Sequence, residues 1–338
     1  MIKKVTRKAK KCPYCLSLKT IKKGKRKDIK KPITRYKCLG CNKWFQEERR
    51  KSEKDLIKEI FKKYFWNRKT LEELSNEYTL SPKTIQKYIN NYQIEIKKKT
   101  HREIVLIIDV VFFNKRKFKS EFGIMIFYDA ITQEPLLWKE VKNERLSDYK
   151  EMYFKIIEQG FKVKAVVIDG KKGLKEFFEK EKIIIQYCQF HQIKTILSYI
   201  TKNPRLIPSI HLKLLISFLT EIAEKEFKES FKFFLKTFKD EINRKELNLE
   251  TNKYYFIHKR LRSAIKSLIN NLPYLFTYQK CPELNIPNTT NLLDGGEFSY
   301  LKRLLRNHNG ISKELKLKMI DEYFENHHKR IKRKRTKK

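Results

Sequence analysis

The chain has 338 residues and carries 79 Lys and Arg against 39 Asp and Glu, a formal net charge of +40. That length allows two or three domains with a sizeable buried core, and no stretch approaches the roughly 18 consecutive apolar residues that a membrane helix needs. A positive field of this strength is typical of proteins that bind a polyanion, usually nucleic acid. An AT-rich genome would also raise the lysine content, but it does not explain the arginines.

Two Cys-x-x-Cys pairs lie near the N-terminus, Cys12 with Cys15 and Cys38 with Cys41. Four thiolates at this spacing are typical of a tetrahedral structural zinc site. The lysine-rich segment between the pairs has a glycine at its middle, which predicts a hairpin joining two knuckles. A region so small and polar cannot fold on apolar burial alone, so zinc would supply the folding free energy. The alternative is four reduced cysteines without a metal.

Two short helices joined by a tight turn are predicted at residues 70–89. Thr70 with Glu73 three positions later is a capping-box pattern, and Ser81 followed by Pro82 marks a second helix start. This arrangement resembles a helix-turn-helix, whose second helix enters the major groove of DNA; an ordinary helical hairpin is the alternative. In the second helix we expect Lys83, Thr84, Gln86 and Lys87 to face DNA, and Ile85 and Ile89 to pack inward.

The composition changes sharply after the lysine-rich segment that ends near residue 103. The run IVLIIDVVFF is typical of a strand buried on both faces. Asp109 interrupts this run, and an ionised carboxylate there is costly unless a partner or a metal holds it. From this strand onward the pattern predicts the order β-β-β-α-β-α-β-α, which matches an α/β ribonuclease H-like fold with a mixed sheet.

In that fold the first and fourth strands lie side by side. Asp109 and Asp169, which ends the fourth strand in VVIDG, would therefore be neighbours. Two close carboxylates repel each other unless a divalent cation lies between them, and hard oxygen ligands suit Mg²⁺ or Mn²⁺. An Asp before Gly at a strand end is also a common turn residue.

Four features in order carry a resemblance to a known family. They are Asp109 in LIIDVVF, Asp169 in VVIDGKKG, Cys188 and His191 in QYCQFHQ, and the segment 288–312, NTTNLLDGGEFSYLKRLLRNHNGIS. In this combination the chain resembles the Mutator-like transposases, including the insertion-sequence transposases of that superfamily, over about residues 100–312. The cysteine motifs and the helix pair ahead of this region also resemble the DNA-binding end of such elements.

The resemblance implies a third acid three positions after the Asn of Thr-Thr-Asn, where the family has Glu and this chain has Asp294. Glu297 is the rival, because three residues of helix would turn both acids to the same side. Either acid could instead cap the helix that follows. The resemblance implies that two Mg²⁺ or Mn²⁺ ions are held by Asp109, Asp169 and Asp294. Phosphates near the cut would be gripped by Lys302, Arg303 and Arg306.

The resemblance places Cys188 and His191 beside this active site. A zinc site there would need two more ligands, for which Cys281 is an isolated candidate. We expect instead that His191 contacts a DNA phosphate or steadies the acids, and that Cys188 packs.

These interpretations predict a transposase that cleaves and joins DNA strands at the ends of its mobile element. A catalytically decayed DNA-binding regulator and a stand-alone structure-specific nuclease are the alternatives. The expected partners are double-stranded DNA, as terminal inverted repeats and target, and further copies of the chain; no membrane partner is expected. A cytoplasmic, nucleoid-associated location in a prokaryote is expected, because the basic N-terminus lacks the apolar region of a secretory signal.

The sequence predicts five divisions of the chain. They are a zinc ribbon at 1–50, a helix-turn-helix domain at 51–98, a catalytic core at 99–203 and 283–312, an all-helical insertion at 204–282, and a basic C-terminal helix or tail at 313–338.

Overall fold

The computed structural model describes residues 10–26, 33–46, 52–113, 122–308 and 310–326. The chain divides into two compact units, residues 1–93 and residues 94–338. The basic run 327–338, predicted as part of a tail, lies outside the described residues. None of the described helices is long and apolar enough to cross a membrane.

The first unit opens with a three-stranded antiparallel sheet in the order β1-β2-β3. Thr20 pairs with Cys38 across the first two strands, so the predicted hairpin between the cysteine pairs is confirmed. Because this hairpin folds the chain back on itself, it brings the second cysteine pair to the first. The strands are β1 (Thr20–Arg26), β2 (Ile33–Cys38) and β3 (Trp44–Gln46).

Three helices complete the first unit, and their starts follow the predicted caps. The Thr70 hydroxyl accepts from the Glu73 N–H at 3.1 Å while the Glu73 carboxylate accepts from the Thr70 N–H at 2.7 Å. The Ser81 hydroxyl caps the third helix by accepting from the Thr84 N–H at 3.2 Å, and Ile85 and Ile89 are fully buried as expected. The helices are α1 (Glu53–Phe65), α2 (Leu71–Tyr78) and α3 (Pro82–Asn91).

The second unit is built on a mixed five-stranded sheet in the order β6-β5-β4-β7-β8. The first three strands are antiparallel neighbours, and β7 and β8 run parallel to β4, so the predicted β-β-β-α-β-α-β-α order is confirmed. The strands are β4 (Glu103–Phe113), β5 (Phe122–Asp129), β6 (Glu134–Val141), β7 (Lys162–Ile168) and β8 (Ile184–Tyr187), and the helices among and after them are α4 (Leu146–Glu158), α5 (Leu174–Lys180) and α6 (Gln189–Ile200).

The register of β4 against β7 decides where the two predicted aspartates lie. Ile107 is paired with Val167 in parallel. Two positions after this pair are Asp109, still within β4, and Asp169, directly after the end of β7, so the register places the two aspartates side by side. The predicted side-by-side placement of these two strands is confirmed.

The expectation that residues 204–282 are all helical is wrong at one place, an antiparallel hairpin at residues 245–256. The Asn248 side chain accepts hydrogen bonds from the N–H groups of Glu250 and Thr251, and Asn252 adopts a left-handed conformation with φ 49°. Asn favours both roles, so it closes a tight turn here. The elements of this region are α7 (Ile207–Ser217), α8 (Glu224–Thr237), α9 (Lys239–Asn243), β9 (Lys245–Asn248), β10 (Lys253–Phe256), α10 (Lys259–Leu275) and α11 (Thr277–Lys280).

The last of the described helices packs within the second unit. The Trp138 indole N–H donates to Asp321 at 2.7 Å, and the Trp138 ring lies 5.1 Å from that of Phe324. Residues 313–325, predicted as the start of a basic helix or tail, thus form a helix with a buried face. The C-terminal elements are a 3₁₀ turn (Pro282–Leu284), a π-helical segment (Leu292–Phe298), α12 (Ser299–Arg306) and α13 (Lys313–Glu325).

Candidate functional site

The four N-terminal cysteines come together as a metal-ligand set. Cys12 and Cys41 have their sulfurs 3.7 Å apart, and the Cys15 and Cys38 sulfurs are 3.5 Å apart. All four sulfurs lie within 4.8 Å of one another. A tetrahedral zinc ion with Zn–S bonds of about 2.3 Å separates its sulfurs by about 3.8 Å, so the cluster fits zinc.

The backbone around the second knuckle favours the thiolate form that a metal needs. Hydrogen bonding to the Cys41 amide, together with the Gly40 amide at 3.3 Å, lowers the pKa of Cys38 to about 6. A thiol with a lowered pKa loses its proton to an incoming metal at a smaller cost.

The residues predicted to face DNA lie on the outer side of α3. Lys83 and Lys87 are exposed, and Thr84 and Gln86 are half-buried. Thr84 hydrogen-bonds to Ser81 at 2.9 Å, and Gln86 donates to Asn90 at 2.9 Å. This face is polar and basic, and its contact with DNA stays a prediction.

A second ligand cluster lies at β4, the central strand of the mixed sheet. Asp109, His191 and Asp294 each offer a ligand atom, and these atoms all lie within 4.8 Å of one another. They come from three separate elements: β4, the first turn of α6 and the π-helical segment. Two of the predicted acids are thus brought together, with the predicted neighbouring histidine between them.

Asp109 has one satisfied and one unsatisfied carboxylate oxygen. Its Oδ1 accepts from the Val110 N–H at 2.8 Å, whereas its Oδ2 is buried and has no hydrogen-bond partner among the described residues. Burial raises the pKa of Asp109 to about 7, with smaller contributions from Asp294 and Asp169 against the opposing effect of His191. A buried carboxylate oxygen without a partner is costly, and a cation at this position would satisfy it.

Asp169 stands just outside this cluster. It follows the last residue of β7 and accepts from the Lys171 N–H at 3.2 Å. Its charge acts on both Asp109 and His191 by raising their pKa values. The structure therefore places Asp169 near the cluster without including it among the mutually close ligand atoms.

The two candidates for the third acid, Asp294 and Glu297, have different surroundings. Asp294 lies 4.0 Å from His191 Nε2 and accepts from Lys194 Nζ at 3.1 Å. Glu297 is buried and accepts a hydrogen bond from the Tyr323 hydroxyl in α13. The expectation that both acids share one side is wrong, because the wider turn of the π-helical segment changes the angle between residues three apart.

The three residues predicted to contact DNA phosphates lie on α12, directly after the π-helical segment. Lys302 is half-buried on α12, whereas Arg303 and Arg306 are exposed. The Arg303 guanidinium lies 5.5 Å from the centre of the Tyr300 ring. Both arginines are therefore positioned to meet a partner from solvent, and their contact with phosphate stays a prediction.

Cys188 and His191 form a linked pair with Thr290. The Cys188 sulfur accepts from the Thr290 N–H at 3.3 Å, and His191 Nδ1 lies 3.4 Å from the Thr290 hydroxyl. Hydrogen bonding to Cys188, with further contributions from Asp109 and Asp169, raises the pKa of His191 to about 9. Burial alone would raise the pKa of the Cys188 thiol, but His191 outweighs it and lowers that pKa. Cys281 does not join this pair in any ligand cluster of the described residues, so the sequence-based candidate for a further zinc ligand is not brought to Cys188 and His191.

Tyr323 offers a test of how the π-helical segment is anchored. We expect Tyr323→Phe to lower the free energy of unfolding by about 1–3 kcal/mol, because it removes a hydrogen-bond donor from a buried carboxylate. Urea unfolding would measure the loss. Tyr254→Phe, which removes the hydroxyl from a ring that is 72% exposed, is the matched control and should change little; equal losses in both variants would contradict the anchoring role.

The two solved structures named below resemble the chain only remotely. No family model matches the chain, and no curated protein matches its sequence. Among solved structures the chain is similar to a chain of the Drosophila P element transposase strand transfer complex, with 12% identity, a TM-score of 0.33 and coverage of 75% of this chain and 65% of that one. It is also similar to a chain of the simian T-cell lymphotropic virus intasome in complex with PP2A regulatory subunit B56 gamma, with 13% identity, a TM-score of 0.21 and coverage of 48% and 69%. At these TM-scores neither likeness carries an inference about activity.

Proposed function

We propose that the chain is a DNA transposase of the DDE type, with a ribonuclease H-like catalytic core. The observation that carries the proposal is the cluster in which ligand atoms of Asp109 and Asp294 lie within 4.8 Å of each other. In this cluster Asp109 Oδ2 is buried and has no hydrogen-bond partner among the described residues. Asp169 at the end of the adjacent parallel strand supplies a third carboxylate near the pair. The net charge of +40 and the resemblance to Mutator-like transposases both favour DNA as the substrate.

Each group in the site has a role in this proposal. Asp109, Asp169 and Asp294 would hold the divalent metal. Bound Mg²⁺ or Mn²⁺ would activate the attacking oxygen and stabilise the leaving one in phosphoryl transfer. Lys302, Arg303 and Arg306 would hold phosphates of the cleaved strand. Water and then a DNA 3′-hydroxyl serve as nucleophiles, so the protein needs no Ser or Tyr nucleophile.

The first unit would provide recognition of the element's ends. Its cysteine cluster would hold a structural zinc ion, and the polar face of α3 would enter the major groove of the terminal inverted repeats. Pairing two ends requires at least two copies of the chain, so we propose a homodimer or larger assembly on DNA.

The experiment that tests the proposal is cleavage of DNA carrying the element's own ends, in Mg²⁺ and in Mn²⁺. We expect wild type and Glu297→Gln to cleave and Asp294→Asn to lose cleavage, since only Asp294 reaches Asp109 and His191. Both variants replace an acid by its amide, so they are matched in size and in charge change. Cleavage that survives in Asp294→Asn and disappears in Glu297→Gln would make Glu297 the third acid.

A catalytically decayed, DNA-binding regulator is the second candidate. It is favoured by Asp294 standing where the family has Glu, and by the 3.1 Å ion pair that ties this shorter carboxylate to Lys194. Specific binding of the ends without cleavage by wild type in either metal would establish it.

A further inference from the structure

His191 lies where a metal ligand would lie. Its Nε2 is 4.0 Å from Asp294 Oδ2, and the ligand atoms of Asp109, His191 and Asp294 are all within 4.8 Å of one another. Three ligand atoms bound to one ion at about 2.1 Å each are typically about 3.0–3.6 Å apart. Movements of about an ångström in each side chain would therefore bring the three atoms around one cation.

The other ring nitrogen is already held in the manner of a metal-bound imidazole. His191 Nδ1 faces the Thr290 hydroxyl at 3.4 Å, beside the Cys188 sulfur. Histidines that bind metals nearly always use their second nitrogen in such a hydrogen bond, which fixes the orientation of the ring. Thr290 and Cys188 occupy the Nδ1 side, and Nε2 is directed toward Asp294.

Asp109 provides the independent observation that a cation belongs here. Its Oδ2 is buried and has no hydrogen-bond partner in the described part of the chain, although it lies in a cluster with His191 and Asp294. A divalent ion would satisfy this oxygen, and the two neighbouring side chains would supply its further ligands.

We propose that His191 is a direct metal ligand, so that one cation of the catalytic centre is bound by Asp109, His191 and Asp294. The inference rests on the proposed function and changes its ligand set from oxygen alone to nitrogen and oxygen. Imidazole binds first-row transition metals in preference to Mg²⁺, which is usually bound by oxygen. The centre therefore discriminates in favour of Mn²⁺ or another transition cation.

The test is the nitrogen coupling of bound Mn²⁺ in the full chain, measured by pulsed electron paramagnetic resonance without DNA. We expect a directly coordinated ¹⁴N signal in wild type, shifted by ¹⁵N-histidine labelling. His191→Gln should abolish this signal and weaken Mn²⁺ binding by at least roughly tenfold, with a smaller effect on Mg²⁺. His211→Gln, a change to a histidine that packs against Phe238 outside the cluster, should retain the signal and the affinity.

The outcomes separate this inference from the function on which it rests. Mn²⁺ that binds in an Asp109-dependent manner but shows no nitrogen coupling would overturn ligation by His191 and leave the all-carboxylate centre in place. Mn²⁺ binding that Asp109→Asn leaves unchanged would overturn both, because the acids would then not form a metal site. Nitrogen coupling that persists in His191→Gln would also overturn the inference, since another histidine would be its source.

Discussion

Asp109→Asn is expected to keep specific binding of the element's ends and to lower strand cleavage by at least roughly a thousandfold. That factor corresponds to about 4 kcal/mol of transition-state stabilisation, the scale of a metal centre in phosphoryl transfer. The amide has the same shape but lacks the negative charge, and Oδ2 has no other partner among the described residues. Single-turnover cleavage rates and gel-shift affinities would separate the two effects. Asp240→Asn, a change to an exposed acid on α9, is the matched control and should cleave normally.

Loss of cleavage in this variant would not come from unfolding. Burial raises the pKa of Asp109 to about 7 in the folded chain, above the ordinary value of about 3.9. The folded state therefore binds the proton more tightly, and without metal the ionised carboxylate destabilises it as the pH rises through the folded pKa. At pH 8 the metal-free Asn variant should thus unfold at a temperature no lower than that of wild type. An Asp109→Asn protein that still cleaves would exclude the proposed chemistry.

Much of the fold could be predicted because its signals are local. The cap residues Thr70 and Ser81 mark helix starts by side-chain chemistry alone. A long apolar run with one acid predicts a buried strand, and the order of elements then places β4 beside β7. Once the strands are neighbours, the side-by-side placement of Asp109 and Asp169 follows from the parallel register.

The predictions that were wrong concern features that depend on contacts between distant segments of the chain. In a helix of ordinary pitch Asp294 and Glu297 would share a side, and nothing in LLDGGEF indicates a π-helical turn. Glu297 also finds its partner, Tyr323, 26 positions later. The hairpin at residues 245–256 depends on the side chain of Asn248. Its turn signal is hard to recognise in the sequence because the surrounding residues are mostly lysines and glutamates. The distance from His191 to Asp294 is likewise set by how the start of α6 meets the segment after residue 288.

Removal of zinc is expected to unfold the N-terminal sheet selectively. Among the described residues 10–26 and 33–46, Cys12 and Cys38 are the only buried apolar side chains, while Leu16 and Leu18 are more than half exposed. The sheet therefore has almost no core apart from the cysteine cluster. Structural zinc contributes about 10–16 kcal/mol of apparent binding free energy at neutral pH, and so small a sheet has no other source of that size.

Cys38→Ser should abolish stoichiometric zinc and remove the protection of the β1–β2 backbone amides from hydrogen exchange. Helices α1, α2 and α3 should stay protected, because residues such as Phe61 and Leu74 form an apolar core of their own. Cys281→Ser is the matched control, since this cysteine lies outside the cluster, and it should keep both zinc and protection. Elemental analysis and hydrogen-exchange mass spectrometry would measure both quantities. If the strands of Cys38→Ser stayed protected without zinc, the sheet would be stabilised by contacts other than the metal, and the cysteines would have to serve another purpose.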